Sequence, residues 1–236
     1  MWLLAASFAL YLFSLWKKNL LYGGLLLQAI YLTWRGAQLG RLPLVGPHDT
    51  LIFMTASVAA FAVPFGSALR DKNTFFSAVA AGAAAFTAFA MTARQHNTPL
   101  PPVLETFWFE FHVVLAFMAY ALFGITAIFG ALSLRDDDGA FEGLGYRAAL
   151  IGYCLFTLSM IFGGIWAYLA WGTYWLWTPK ELWTGILWGF YSFYLHGRLR
   201  PWWTGRPMAW LSIAGFAITL FTYLGVSLLM KSSHSF

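Results

Sequence analysis

The sequence predicts an all-α polytopic membrane protein of about eight transmembrane helices, with a tryptophan-rich loop lying in the outer membrane interface. Three observations carry that prediction. Hydrophobic residues make up 60% of the 236 residues and charged residues only 10%, whereas a soluble domain carries roughly a quarter charged side chains. Charge-poor runs of about twenty residues recur along the chain, each long enough to cross a hydrocarbon core as a helix. Between two such runs, residues 171–183 concentrate tryptophan around a proline. With a mean hydropathy of +0.67, a water-soluble fold is excluded.

Helices are expected at about 2–16, 20–34, 51–69, 75–93, 107–134, 147–170, 182–197 and 208–230. The run Trp2 to Trp16 lacks the basic n-region and small-residue cleavage site of a signal peptide and is followed by Lys17 and Lys18, so it reads as a first helix. The first two helices are short enough to be tilted or partly interfacial. No repeat, low-complexity linker or glycine-rich phosphate loop divides the chain, and 1–236 reads as a single integral membrane domain.

The net charge of +5 does not mark a nucleic-acid partner, because the basic residues stand singly between hydrophobic spans and read instead as topology. Placing the 17–18 loop inside puts Lys17, Lys18, Arg70, Lys72, Arg135, Arg147, Arg198, Arg200 and Arg206 in the cytoplasm. Arg35, Arg41, Arg94, Lys180 and Lys231 then fall outside. Nine against five favours this orientation, since Lys and Arg are retained on the side that does not translocate. Both termini then face out, with the longer aromatic or proline-rich segments 35–50, 94–106 and 168–182, and the working surface is expected there. The one cysteine, Cys154, has no partner, and no Cys-x-x-Cys-His motif exists, so any prosthetic group is held non-covalently.

The most informative stretch is Trp171-Gly172-Thr173-Tyr174-Trp175-Leu176-Trp177-Thr178-Pro179-Lys180-Glu181-Leu182-Trp183. Its tryptophans fall at steps of four, two and six, which is not one helical stripe, and Pro179 bars a regular helix through the middle. An aromatic platform in the interface is expected, where indole tolerates a wet edge and an apolar face. Such a platform can stack on a porphyrin, with Lys180 near a propionate. Glu181 is expected to pair with Lys180 or to close the first turn of the next helix. An aromatic belt has the same composition, so the spacing decides.

That spacing resembles the tryptophan-rich signature of the cytochrome c assembly family, which includes the CcsA/ResC proteins of system II and the CcmC and CcmF proteins of system I. The pattern W-G-x-x-W-x-W-D-P-K-E-x-W is met at Trp171, Gly172, Trp175, Trp177, Pro179, Lys180, Glu181 and Trp183, with Thr178 in place of the usual Asp. The segment Trp183 to Arg198 is similar to the helix that follows in CcsA proteins. Gly40-Arg41-Leu42-Pro43-Leu44 with Asp49-Thr50-Leu51 resembles a short outer segment of the family, His48 and Asp49 replacing an aromatic and Glu. The similarity covers roughly residues 40 to 236.

The resemblance assigns the histidines. His112, near the outer start of the fifth helix, resembles the first outer haem ligand, and Ala116, Ala119, Tyr120 and Phe123 share its helical face, small residues leaving room for a planar group. His234, in Ser232-Ser233-His234-Ser235-Phe236, resembles the second ligand, a His-Ser-aromatic sequence after the last helix. His196 closes the seventh helix about 20 Å deeper and resembles the family's transmembrane haem site, completed in system II by a histidine of a CcsB/ResB-like partner. His48 and His96 have no motif behind them and are expected to be solvated in outer loops.

The resemblance implies a subunit that binds haem b, holds or translocates it, and presents it on the outer face for attachment to apocytochrome c carrying Cys-x-x-Cys-His. It would do so in a bacterial inner membrane or a thylakoid-type membrane, as part of a holocytochrome c synthase complex if it is an enzyme. Within the same family stands a HemX-like or CcmC-like haem binder without attachment activity. From a different class comes a bis-histidine b-type cytochrome exchanging electrons with quinone, which expects histidine pairs buried mid-helix.

Overall fold

The structure is a computed structural model that describes residues 1–69, 72–135, 139–200 and 202–229, with backbone alone at Ser227. Among these residues all regular structure is helical. Lipid requires this, because it offers the backbone no hydrogen-bond partner and each helix satisfies its own N–H and C=O groups. The chain divides into two compact units, Met1–Pro99 and Leu100–Phe236.

The first unit holds α1 (Trp2–Phe13), α2 (Leu20–Leu39), α3 (Gly46–Ser67) and α4 (Asn73–Thr92). Helices α1 and α3 each pack against both α2 and α4, closing a four-helix ring. Its interior is partly polar and internally paired. Ser7 Oγ donates to the Gly24 carbonyl at 2.9 Å, Tyr11 hydroxyl to Gln28 Oε1 at 2.8 Å, and Gln28 Nε2 to Thr87 Oγ1 at 2.9 Å. Unpaired, each group would cost several kcal/mol away from water. Gly40 ends α2 in the left-handed conformation, and Gly46 opens α3 at φ 82° with Pro47 in the first turn. A side chain at Gly46 would run into the His96 ring, 2.4 Å from a β-carbon placed there.

The second unit begins with a short 3-10 turn, Pro102–Leu104, and holds α5 (Phe107–Arg135), α6 (Gly139–Trp171), α7 (Pro179–Gly197) and α8 (Arg206–Leu220). Helix α8 passes through a π-turn, Phe221–Gly225, into α9 (Val226–Leu229). Helix α5 is the core, packed against α6 and α8, while α7 packs against α6 and α8. Small residues let neighbours approach α5 closely, as expected where packing rather than water drives helix association. A β-carbon at Gly152 would lie 2.9 Å from the Phe123 ring, and one at Gly130 only 1.9 Å from Ser212 Oγ.

Helices α5 and α8 are antiparallel in a constant register. Gly130 faces Ser212, Gly124 faces Phe216, and Phe117 and Tyr120 face Tyr223 with ring centroids at 4.9 and 6.3 Å. Helix α8 therefore runs toward the end of α5 that carries His112.

Helix α6 starts at Gly139, about eight residues before the expected 147. Its first turn carries Glu142, which pairs with Arg198 and accepts the Gly205 N–H at 2.9 Å. An acidic side chain suits a helix N-terminus. Helices α3, α4, α5, α6 and α8 with its π-turn are long and apolar enough to cross a membrane. Helices α2 and α7 have 20 and 19 residues but a lower mean hydropathy, and α1 has 12. The protein is an all-α polytopic integral membrane protein.

Candidate functional site

The tryptophan segment is built by two breaks in helical geometry. Helix α6 ends at Trp171, and Gly172 at φ 74° turns the chain away. The chain then doubles back along α6. The Tyr174 ring stacks on Tyr168 at 4.6 Å and 12°, and the Tyr174 carbonyl lies 3.6 Å from a β-carbon placed on Gly164. The second break is Trp177, the only non-glycine residue at positive φ (57°) among the described residues. Such a conformation costs a bulky residue about 1–3 kcal/mol and persists only where its surroundings impose it.

Those surroundings are one carboxylate oxygen. Glu181 Oε2 accepts the N–H of Leu176 and of Thr178, both at 2.9 Å, so the amides on either side of Trp177 converge on the same atom. Glu181 N–H in turn donates to Thr178 Oγ1 at 3.3 Å, completing a reciprocal capping box at the start of α7, with Pro179 in the first turn. Thr178 thus caps α7 through its hydroxyl, a role that Ser, Thr, Asp and Asn side chains share. Of the two roles expected for Glu181, closing the first turn of α7 is the one its hydrogen bonds display.

The four tryptophans do not form one platform. Trp175 and Trp177 meet edge to face at 6.5 Å, with Trp177 73% exposed. Trp171 turns instead onto Trp166 at 4.8 Å, whose Nε1 donates to the Val103 carbonyl at 2.7 Å, and Trp183 packs on Phe221 of the π-turn at 4.5 Å. Lys180 lies half-buried in the first turn of α7.

His112 sits on α5 against Ser159 and Gly163 of α6. Its Nδ1 lies 2.8 Å from the Ser159 carbonyl, and Ser159 Oγ donates to the His112 carbonyl at 2.9 Å. A carbonyl only accepts, so Nδ1 carries the proton and the lone pair belongs to Nε2. Fixing one ring nitrogen on a backbone carbonyl is how a metal-binding histidine is oriented, so the residue fits a haem iron chemically. A β-carbon on Gly163 would lie 2.7 Å from His112 Nδ1. Gly163 thus receives His112 while the adjacent Gly164 receives the Tyr174 carbonyl, which brings the histidine and the tryptophan segment to one level of α6.

The expected room beneath His112 is filled. Ala116, Ala119, Tyr120 and Phe123 are buried, Tyr120 lies against Phe156 and Tyr223, and Phe123 stacks on Tyr191 at 3.6 Å. Sequence reading followed the face of α5 alone and missed Ser159 and Gly163; their spacing of four on α6 was the available signal.

His196 is exposed, with Nδ1 donating to the Ser192 carbonyl one turn back at 2.7 Å. Trp188 bonds Thr157 and Tyr153 bonds Ser192 between α7 and α6. In that register His196 lies about ten residues of α6, or about 15 Å, from Ser159, so it and His112 are not brought together. His234 lies outside the described residues.

His48 corrects the sequence reading. Expected to be solvated, it is 1% exposed, with Nδ1 donating to the Ala90 carbonyl at 2.8 Å and Nε2 2.9 Å from the Tyr31 hydroxyl. Beside it Asp49 is fully buried and takes both arms of Arg35, Nε at 2.5 Å and Nη2 at 3.1 Å, while Arg35 Nη1 donates to Asn97. His96 is half-buried over Gly46, and its carbonyl accepts from Arg35.

An all-helical integral membrane protein carrying a tryptophan-rich segment at the level of an oriented histidine is the class these features define. Residues 45–234 match the model of the family described as Cytochrome C assembly protein, and the chain belongs to that family. It is similar to the cytochrome c biogenesis protein CcsA of Chlorella vulgaris, 31% identical over 88% of this chain and 81% of that protein. The CcsA proteins of Guillardia theta and Synechococcus sp. (strain RCC307) are 29% and 28% identical, over 91% and 89% of this chain and 84% and 81% of theirs.

Proposed function

We propose that this chain acts in c-type cytochrome biogenesis as a CcsA-type haem-handling subunit. It binds haem b non-covalently through His112 and His234 on the outer face and presents it at the tryptophan segment to an apocytochrome c. The observation that carries the reading is the His112 orientation, with Nδ1 donating to Ser159 on the helix whose next residues receive the tryptophan segment. The antiparallel α5/α8 pairing supports the second ligand, because Phe117 and Tyr120 face Tyr223 and His234 follows eleven residues later in the chain, beyond the end of α8 nearer His112. His196, exposed and deeper, suits a transmembrane haem site completed by a CcsB/ResB-like partner. When bound, haem supplies the vinyl groups that the thiols of the apocytochrome attack; this chain holds, orients and shields it.

The test is spectroscopic. His112→Ala and His234→Ala each lose the low-spin six-coordinate spectrum of the purified protein and partly regain it with added imidazole. His196→Ala lowers haem content without changing the ligation of what remains. Reporter fusions at Thr173 and at the C-terminus read outside. A wild-type spectrum in both outer variants, or a C-terminus on the cytoplasmic side, rules the reading out.

A further inference from the structure

We infer that Glu181 is a positioning residue that holds the Trp177 indole out from the protein surface as a haem-docking edge. The inference rests on reading the tryptophan segment as a haem surface. Three observations converge on it. Trp177 has φ 57° in a chain whose other positive-φ positions, among the described residues, are all glycine. Its side chain is 73% exposed, so packing does not impose that conformation. The two N–H groups that bracket it, of Leu176 and Thr178, both end on Glu181 Oε2 at 2.9 Å.

Hydrogen bonds to an ionised acceptor are about twice as strong as neutral ones, and a single oxygen serving both amides fixes the distance between them. Released, a tryptophan relaxes toward negative φ, a rotation of more than about 100° that carries the ring to a different face of the chain. The same carboxylate takes part in the capping box with Thr178. One residue thus couples the start of α7 to the direction in which an exposed indole points. An aromatic belt residue has no use for such a constraint, since lipid and interface accept indole in any orientation. A flat ligand approaching from one direction does.

Four variants of the full chain in detergent separate this role from capping and from the haem reading itself, each measured by amide hydrogen exchange across 173–178 and by titration with hemin. In Glu181→Ala exchange rises and hemin binds roughly two- to tenfold more weakly, the size of one lost aromatic contact. Glu181→Gln keeps an acceptor oxygen for both amides without the charge, and falls between wild type and Glu181→Ala in both readouts. Thr178→Ala loses the cap alone and keeps the exchange protection of Leu176. Trp177→Ala weakens hemin as Glu181→Ala does.

If Glu181→Ala leaves exchange unchanged, the carboxylate does not hold the segment and the inference fails. If exchange rises and hemin affinity holds while Trp177→Ala weakens it, the indole needs no positioning and the inference alone fails. If neither variant weakens hemin although exchange rises, the haem reading of the segment fails, and the positioning role falls with it.

Discussion

Replacing Gly163 by alanine is the sharpest single test of how His112 is held. The added methyl lies 2.7 Å from Nδ1, 2.9 Å from Cε1 and 3.3 Å from Cγ of His112. The helix backbone fixes the methyl, so the imidazole must retreat by roughly 0.7 Å or more to reach ordinary contact. Retreat from Gly163 is also retreat from the Ser159 carbonyl one turn below it, and the 2.8 Å Nδ1 hydrogen bond stretches beyond useful length. Losing that bond costs about 0.5–1.5 kcal/mol, and an off-rotamer imidazole a similar amount. The α5/α6 pair loses about 1–3 kcal/mol in all, and Nε2 points elsewhere. The neighbour supplies the control. A methyl on Gly164 meets only the Tyr174 carbonyl, at an ordinary 3.6 Å. Gly163→Ala should therefore lower the melting temperature and give a high-spin or imidazole-responsive haem spectrum, while Gly164→Ala keeps both wild-type. An unaltered spectrum in Gly163→Ala, or an equal loss in Gly164→Ala, refutes the argument that α6 orients the histidine.

Two further outcomes probe the scaffold. Arg35→Met or Asp49→Ala leaves a buried charge unpaired and costs about 3–5 kcal/mol, whereas the double variant Arg35→Met with Asp49→Leu recovers most of it; unfolding of the purified protein in denaturant checks the coupling, and equal losses in single and double variants deny it. Gly130→Ala drives a methyl into Ser212 and to 2.8 Å from the Ala209 carbonyl, which backbone cannot yield, and costs about 1–3 kcal/mol by overpacking. Gly143→Ala, with nothing within 4 Å, leaves the melting temperature unchanged or raised.

The apolar runs made the helices legible, because in lipid length and hydropathy decide what spans. Helix ends set by distant partners were not legible. Helix α6 begins early because Glu142 finds Arg198, 56 positions away, and a charge beside glycines read locally as loop. His48 was misjudged for the same reason: its partners, Ala90 and Tyr31, lie 42 and 17 positions off. In the candidate site, the capping role of Glu181 was visible because a cap is a local pattern. The left-handed Trp177 was not, since no spacing rule announces a strained φ at tryptophan.

The buried Arg35–Asp49 pair also bears on how the protein comes to be made. Arginine on α2 and aspartate on α3 each burden a nascent segment, by up to about 2.5–3.5 kcal/mol if it enters the bilayer centre alone, and less toward its edge. Neutralised by each other, they lift that burden together. The two helices therefore gain from leaving the translocon as a hairpin, with α2 waiting at its lateral gate until α3 arrives. A chain stalled with α2 out of the ribosome and α3 still inside its exit tunnel would hold an α2 that is extractable by alkali, and one stalled after α3 has also emerged would not.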